Sequence, residues 1–175
     1  MIEGGGTQRV LIGGVGYRWM RDASFGLVVV DELARREWPP GIEVADLGYG
    51  ALYVALDLAD ARPRYDRVIL LAGVARGREP GRLYCERWTP RATGADEVQE
   101  RIREAGAGVI DLDHLLVIAH YLNALPKDLV CIELEPKETA GGDGLSAAGA
   151  ERLVEAIALA RAHALAPVHH DAPVA

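Results

Sequence analysis

Residues 11–26, LIGGVGYRWMRDASFG, decide how the chain begins to fold. Val10–Gly14 is a short apolar strand. Phe25, Val28, Val29, Glu32 and Leu33 then recur at helical spacing, until Trp38-Pro39-Pro40-Gly41 stops that helix. A strand that passes through a Gly-rich turn into a helix opens an α/β unit, and what the turn holds is the first functional question. A dinucleotide-binding turn needs a third glycine at the helix start, so that the backbone can approach a pyrophosphate. Here Gly14-Val15-Gly16 runs into Tyr17, Arg18 and Trp19, which put bulk where that approach is needed. No Gly-Lys-Ser/Thr follows either, so a phosphate-binding P-loop fails.

The alternation continues outward. Ile42–Leu47 reads as a second strand, followed by the turn Gly48-Tyr49-Gly50 and a helix with Leu52, Ala55, Leu56 and Ala59 on one stripe. Arg67–Ala72 is almost continuously apolar, which suits a central parallel strand covered on both faces. Arg76–Gly81 has turn chemistry, and Arg82–Arg87 alternates as an edge or antiparallel strand. Trp88–Gly108 is a polar insertion in which Val98, Ile102 and Ala105 mark a short charged helix. Leu112, Leu115, Leu116, Ala119 and Leu122 form the clearest amphipathic helix, with Asp111 as its cap. Leu129–Leu134 is a further strand, and Ser146 caps a last helix that buries Leu153, Ala156, Ile157 and Ala160. The pattern predicts one domain over 1–175, loose at about 1–8 and 167–175. Its fold is a three-layer α/β sandwich with a mostly parallel central sheet, of phosphorylase/hydrolase-like type. Function in such a sheet sits at the carboxyl ends of the strands. That edge holds Gly14–Asp22, Asp46–Gly50, Ala72–Gly77 and Glu135–Asp143.

Composition narrows the partners. A net charge of −7 with no run of Lys or Arg argues against a nucleic-acid face. Apolar runs such as Val68–Val74 are far short of a membrane span, and MIEGGGTQRV has no signal-peptide core, so a cytoplasmic location is expected. Cys85 and Cys131 lie in strand-like runs and are expected to be buried, reduced thiols. Neither has a histidine partner nearby in sequence, and neither Ser24 nor Ser146 sits in a Gly-x-Ser-x-Gly elbow.

Several loops agree with one family pattern. Gly14-Val15-Gly16 with Asp22 and Gly26, Val44-Ala45-Asp46-Leu47-Gly48, Leu71-Ala72-Gly73-Val74 with Pro80-Gly81, Leu122–Pro126, Glu135-Pro136 and Gly144-Leu145-Ser146 follow in order over residues 9–163. In this the chain resembles the hydrogenase maturation endopeptidases, which trim the carboxyl-terminal tail of the large subunit of nickel-iron hydrogenases. The resemblance implies that partner, or its assembly factors, with nickel in the precursor as the recognition signal. It implies substrate contacts at Asp22, Asp46, Gly48, Gly50 and Asp111. It also places the family's three metal ligands at Ala23, Ala72 and Gly108, none of which has a lone pair to offer. The expectation is therefore a family member with impaired or lost peptidase activity and no bound cofactor. An active peptidase using relocated groups, or a small-molecule or nucleotide-binding α/β module, are the alternatives.

Four points stay open in the sequence. Asp113, His114 and His120 are either a relocated metal site or a solvated helix end. His169-His170-Asp171 is a second, adventitious metal option. Asp22 and Asp46 either contact substrate or serve locally, Asp22 as a helix cap and Asp46 on turn amides. Arg18 and Trp19 form either a contact surface or a plug in the vacated site.

Overall fold

The computed structural model describes residues 7–62 and 64–168, and His169-His170-Asp171 lies outside them. In chain order the elements are β1 (Val10–Val15), α1 (Phe25–Ala34), β2 (Ile42–Asp46), α2 (Ala51–Asp60), β3 (Arg67–Gly73) and β4 (Leu83–Arg87). They continue with α3 (Ala95–Gly106), α4 (Leu112–Tyr121), β5 (Asp128–Leu134), α5 (Ala147–Glu151) and α6 (Leu153–Leu165). A single 3-10 turn, Arg21–Ser24, leads into α1. The strands form one sheet in the order β2-β1-β3-β5-β4. β4 alone is antiparallel, pairing with β5 at the sheet margin as the alternation in Arg82–Arg87 predicts.

Both faces of this sheet are covered, which is why β3 and β5 are buried along almost their whole length. Val68, Leu70, Ala72 and Cys131 face one core, filled by Val54, Leu58, Leu115 and Ile118 of α2 and α4. Ile69, Leu71, Val130 and Ile132 face the other, filled by Phe25, Val29, Ala156 and Ala160 of α1 and α6. The expected last helix is interrupted. Ser146 caps α5 by accepting from the Gly149 amide, but Arg152 separates α5 from α6, its side chain donating to the Gly81 carbonyl at 3.0 Å.

The amino edge of the sheet is held by a buried ion pair. Arg67, 2% exposed, donates to Asp128 Oδ2 at 2.8 Å and to the carbonyls of His163 in the last turn of α6 and of Ala166 and Pro167 just beyond it. Asp128 also accepts from Arg87. Gln8 and Val168, expected at the loose ends, are bonded to each other, the Val168 amide donating to Gln8 Oε1 at 3.0 Å. No helix among the described residues is long and apolar enough to cross a membrane. Cys131 is buried and Cys85 half-buried; both are free and they belong to opposite faces of the sheet.

Candidate functional site

At the carboxyl edge the loops of β1, β3 and β5 are bonded to one another, and glycine is what lets them approach. A Cβ at Gly16 would lie 2.1 Å from the Ala23 carbonyl oxygen, and one at Gly73 would lie 1.9 Å from that of Asp22. The close approach that these glycines permit is thus to the chain's own backbone, not to a pyrophosphate. The nearby loops also pair as strands do. Arg21 and Gly142 share a backbone bond, as do Gly142 and Trp19, and the Asp22 amide donates to the Glu138 carbonyl.

Asp22 fastens this arrangement. It is completely buried, and its Oδ2 accepts from the Lys137 amide (2.9 Å), the Glu138 amide (3.1 Å) and the Ser146 hydroxyl (2.8 Å). Its Oδ1 accepts from the Ser146 amide at 2.8 Å. Burial by itself raises the carboxyl's pKa, but the bonds from Ser146, Glu138 and Lys137 outweigh it and hold the group below its ordinary range. The expected capping role is therefore corrected: Asp22 makes no side-chain cap to α1, because its carboxylate is committed to the loop 137–146. Asp46 does serve its own turn, accepting from the Gly48 amide at 2.7 Å, and it also accepts from Arg18 at 2.6 Å. Arg18 in addition bonds Asp31, so the pair it forms with Asp46 is an exposed surface contact. Gly50 stands before α2 and accepts from the Val54 amide.

The three positions at which the resemblance expects metal ligands have different surroundings. Ala23, in the 3-10 turn, packs against the end of β3, where a Cβ on Gly73 would come within 3.2 Å of it. Ala72 is buried on the α4 side of the sheet, in the same core as Leu112 and Leu115. Gly108 is exposed in the turn between α3 and α4, with φ +105°, a backbone conformation that suits glycine and strains other residues. Tyr17 spans these segments. Its amide donates to the Ala23 carbonyl at 3.3 Å, and its hydroxyl accepts from the Ile110 amide at 2.8 Å. Tyr17 thus ties the first loop to the start of α4, while Arg18 pairs with Asp31 and Asp46 and Trp19 is 67% exposed. Removing only that hydroxyl, in Tyr17→Phe, is expected to cost about 1 kcal/mol. Urea unfolding together with faster hydrogen exchange at the Ile110 amide would register it, and unchanged exchange would contradict the bridge.

Asp111 caps α4 as expected, its Oδ1 accepting from the His114 amide at 2.8 Å. Asp113, His114 and His120 do not come together. Asp113 pairs with Arg76, buried His114 lies between Asp111 and Glu104, and His120 stands edge-on to Trp88. Among the described residues, no group of three His, Cys, Asp or Glu side chains is placed to hold a metal ion. The residues present do not fit a metal at the family position. Beside Ala72 the register places Glu133, whose carboxylate is held by Arg76 and Arg78, while Glu135 accepts from the Arg76 and Gly77 amides and from Arg78. Burial raises the Glu133 pKa, but the two guanidinium groups outweigh it and keep it below the ordinary range. Sequence reading missed this network and the role of Tyr17, because their partners lie far along the chain.

A nucleophilic alternative is weakened by the same kind of evidence. Cys85 does find a histidine in space, with Sγ 3.3 Å from His163 Nε2. Burial, however, raises the Cys85 thiol's pKa and lowers that of His163, so the neutral forms are favoured and a reactive thiolate is not. Cys131 is pushed up to about 12, chiefly by burial, and is further from reactivity still.

No protein-family model matches the chain. Over 131 residues, 73% of its length, it is 32% identical to the hydrogenase expression/formation protein HupD of Bradyrhizobium diazoefficiens. It spans 62% of the length of that curated relative. It is 30% identical to a hydrogenase 2 maturation peptidase from a Thaumarchaeota archaeon, covering 87% of this chain and 95% of that one with a TM-score of 0.60. The hydrogenase maturating endopeptidase HybD of Escherichia coli superposes with a TM-score of 0.66 over 89% of this chain and 91% of that one. At 20% identity the HybD likeness is one of fold.

Proposed function

The chain belongs to the hydrogenase maturation protease family, and we propose that it binds the carboxyl-terminal region of a nickel-iron hydrogenase large-subunit precursor without trimming it by a metal-dependent route. The observation that carries this reading is the donor set: Ala23, Ala72 and Gly108 supply no ligand atom. A metal would polarise the scissile carbonyl or activate water, and no set of side chains among the described residues is built to hold one. The residues that remain do something else. Asp22 fixes the first loop against loop 137–146, Tyr17 ties it to the start of α4, and partly exposed Tyr17, Trp19 and Met20 offer an apolar surface at the same edge. These features suit retention of a partner rather than turnover.

Mixing the purified chain with nickel-loaded large-subunit precursor tests both halves of the reading. Co-elution on size exclusion, with the precursor's intact mass unchanged, is expected. Release of a carboxyl-terminal fragment would overturn the loss of activity. Separate elution would overturn the partner.

A further inference from the structure

A groove of about 430 Å³ runs between the β4–β5 margin of the sheet and α4, a volume typical of ligand sites. Its floor is Tyr84 and Glu86 of β4 beside Glu133 and Cys131 of β5. Leu116, Val117 and His120 of α4 form one wall. The other wall is the insertion that sequence reading left without a role: Trp88, Arg91 and Thr93 precede α3, and Arg101 projects from it.

The charge of this groove is opposite to that of the molecule. Five arginines line it (76, 78, 87, 91 and 101) against the carboxylates of Glu86, Asp113 and Glu133, in a chain whose net charge is −7. The inner arginines are committed, Arg76 to Glu133 and Asp113 and Arg78 to Glu133 and Glu135. Those at the mouth are paired on one side and open to solvent on the other. Arg87 bonds Asp128 and Arg91 bonds both carboxylate oxygens of Glu97, yet their side chains are each 62% exposed and keep further N–H donors, and Arg101 is held loosely, 3.4 Å from His114 and 3.8 Å from Glu104. Guanidinium groups with free donors favour carboxylates, which they bind in pairs of bonds. Between them Trp88 meets His120 edge-on at 5.6 Å, with Leu116 and Val117 alongside, an apolar seat between cationic points.

We propose that this groove binds an extended acidic peptide segment, its carboxylates on Arg87, Arg91 and Arg101 and an intervening apolar side chain against Trp88 and Val117. The three arginines come from separate elements, Arg87 from the end of β4, Arg91 from the segment before α3 and Arg101 from α3, which suits charges spaced along a peptide better than a single compact anion. The proposal is independent of the peptidase-family reading, since none of the groove's residues is among the positions that reading uses as ligands.

Fluorescence anisotropy with a labelled hexapeptide of alternating glutamate and leucine tests it. Saturable binding that weakens with added salt is expected. A lysine–leucine hexapeptide should not bind. Affinity should fall at least tenfold in Arg91→Gln/Arg101→Gln and in Thr93→Glu, which adds a negative charge at the rim without removing an ion pair. It should not change in Arg35→Gln, an exposed arginine outside the groove. Absence of binding, equal affinity for parent, Thr93→Glu and the double variant, or equally strong binding of inorganic phosphate would each overturn the proposal.

Discussion

Asp22→Asn is expected to lower stability by about 3 kcal/mol at neutral pH, since a hydrogen bond to a charged group contributes about 1.5–3 kcal/mol and an orphaned buried donor costs about as much. Either orientation of the new amide turns its NH2 toward a donor: toward the Ser146 amide at the Oδ1 position, or toward the Lys137 and Glu138 amides at Oδ2. At about 2–4 °C per kcal/mol for a chain of this size, the midpoint of thermal unfolding should drop by roughly 6–12 °C. Asp46→Asn is the control. Its carboxylate is a surface group, and its loss should cost less than about 1 kcal/mol.

The pH dependence follows from the direction of the Asp22 shift. Burial raises its pKa, yet the four hydrogen bonds hold it below the ordinary value, so the unfolded chain takes up its proton first as pH falls. Its stabilisation is present above the unfolded value of about 3.9 and is lost as the pH falls through the folded one. Urea midpoints for parent and Asp22→Asn should therefore be well separated at pH 7 and draw together as the pH falls below the unfolded value of about 3.9. Equal midpoints at pH 7 would dispose of the role assigned to Asp22.

Arg67→Met is expected to cost about 3–5 kcal/mol, the penalty for breaking a buried pair from one side. The change leaves Asp128 with only Arg87, whose side chain is largely exposed, and takes the donors from the carbonyls of His163, Ala166 and Pro167. Replacing both partners, Arg67→Met with Asp128→Leu, should recover part of the loss, because no uncompensated charge then remains buried. Calorimetry of the three proteins decides it. A double variant less stable than the single would mean that the carbonyl bonds, not the charge pair, dominate.

Local signals made much of this fold readable. The unbroken apolar runs of β3 and β5 follow from cover on both faces, and Asp111 and Ser146 lie one turn before the amides they cap. At Asp22 the short-range option, a cap, looks the same in sequence as a carboxylate whose partners lie 115–124 residues onward. Tyr17 escaped notice for the same reason, its partner amide lying 93 residues away. The break at Arg152 has no proline to announce it, and its one local cue is Gly149 inside α5, whose carbonyl accepts from the Arg152 amide. The arginines beside Glu133 and Glu135 read as ordinary turn polarity, since only the β3–β5 register reveals which carboxylates they meet.

The bond between Gln8 and Val168 has a practical side. It brings two segments 160 residues apart together, at the pole away from the loops that carry Tyr17 and Asp22. A short linker joining residue 8 to residue 168 would give a circular permutant, opened at the exposed β3–β4 turn. A sensor-chip tether or reporter placed at that join would leave the opposite pole clear for capture of a large protein.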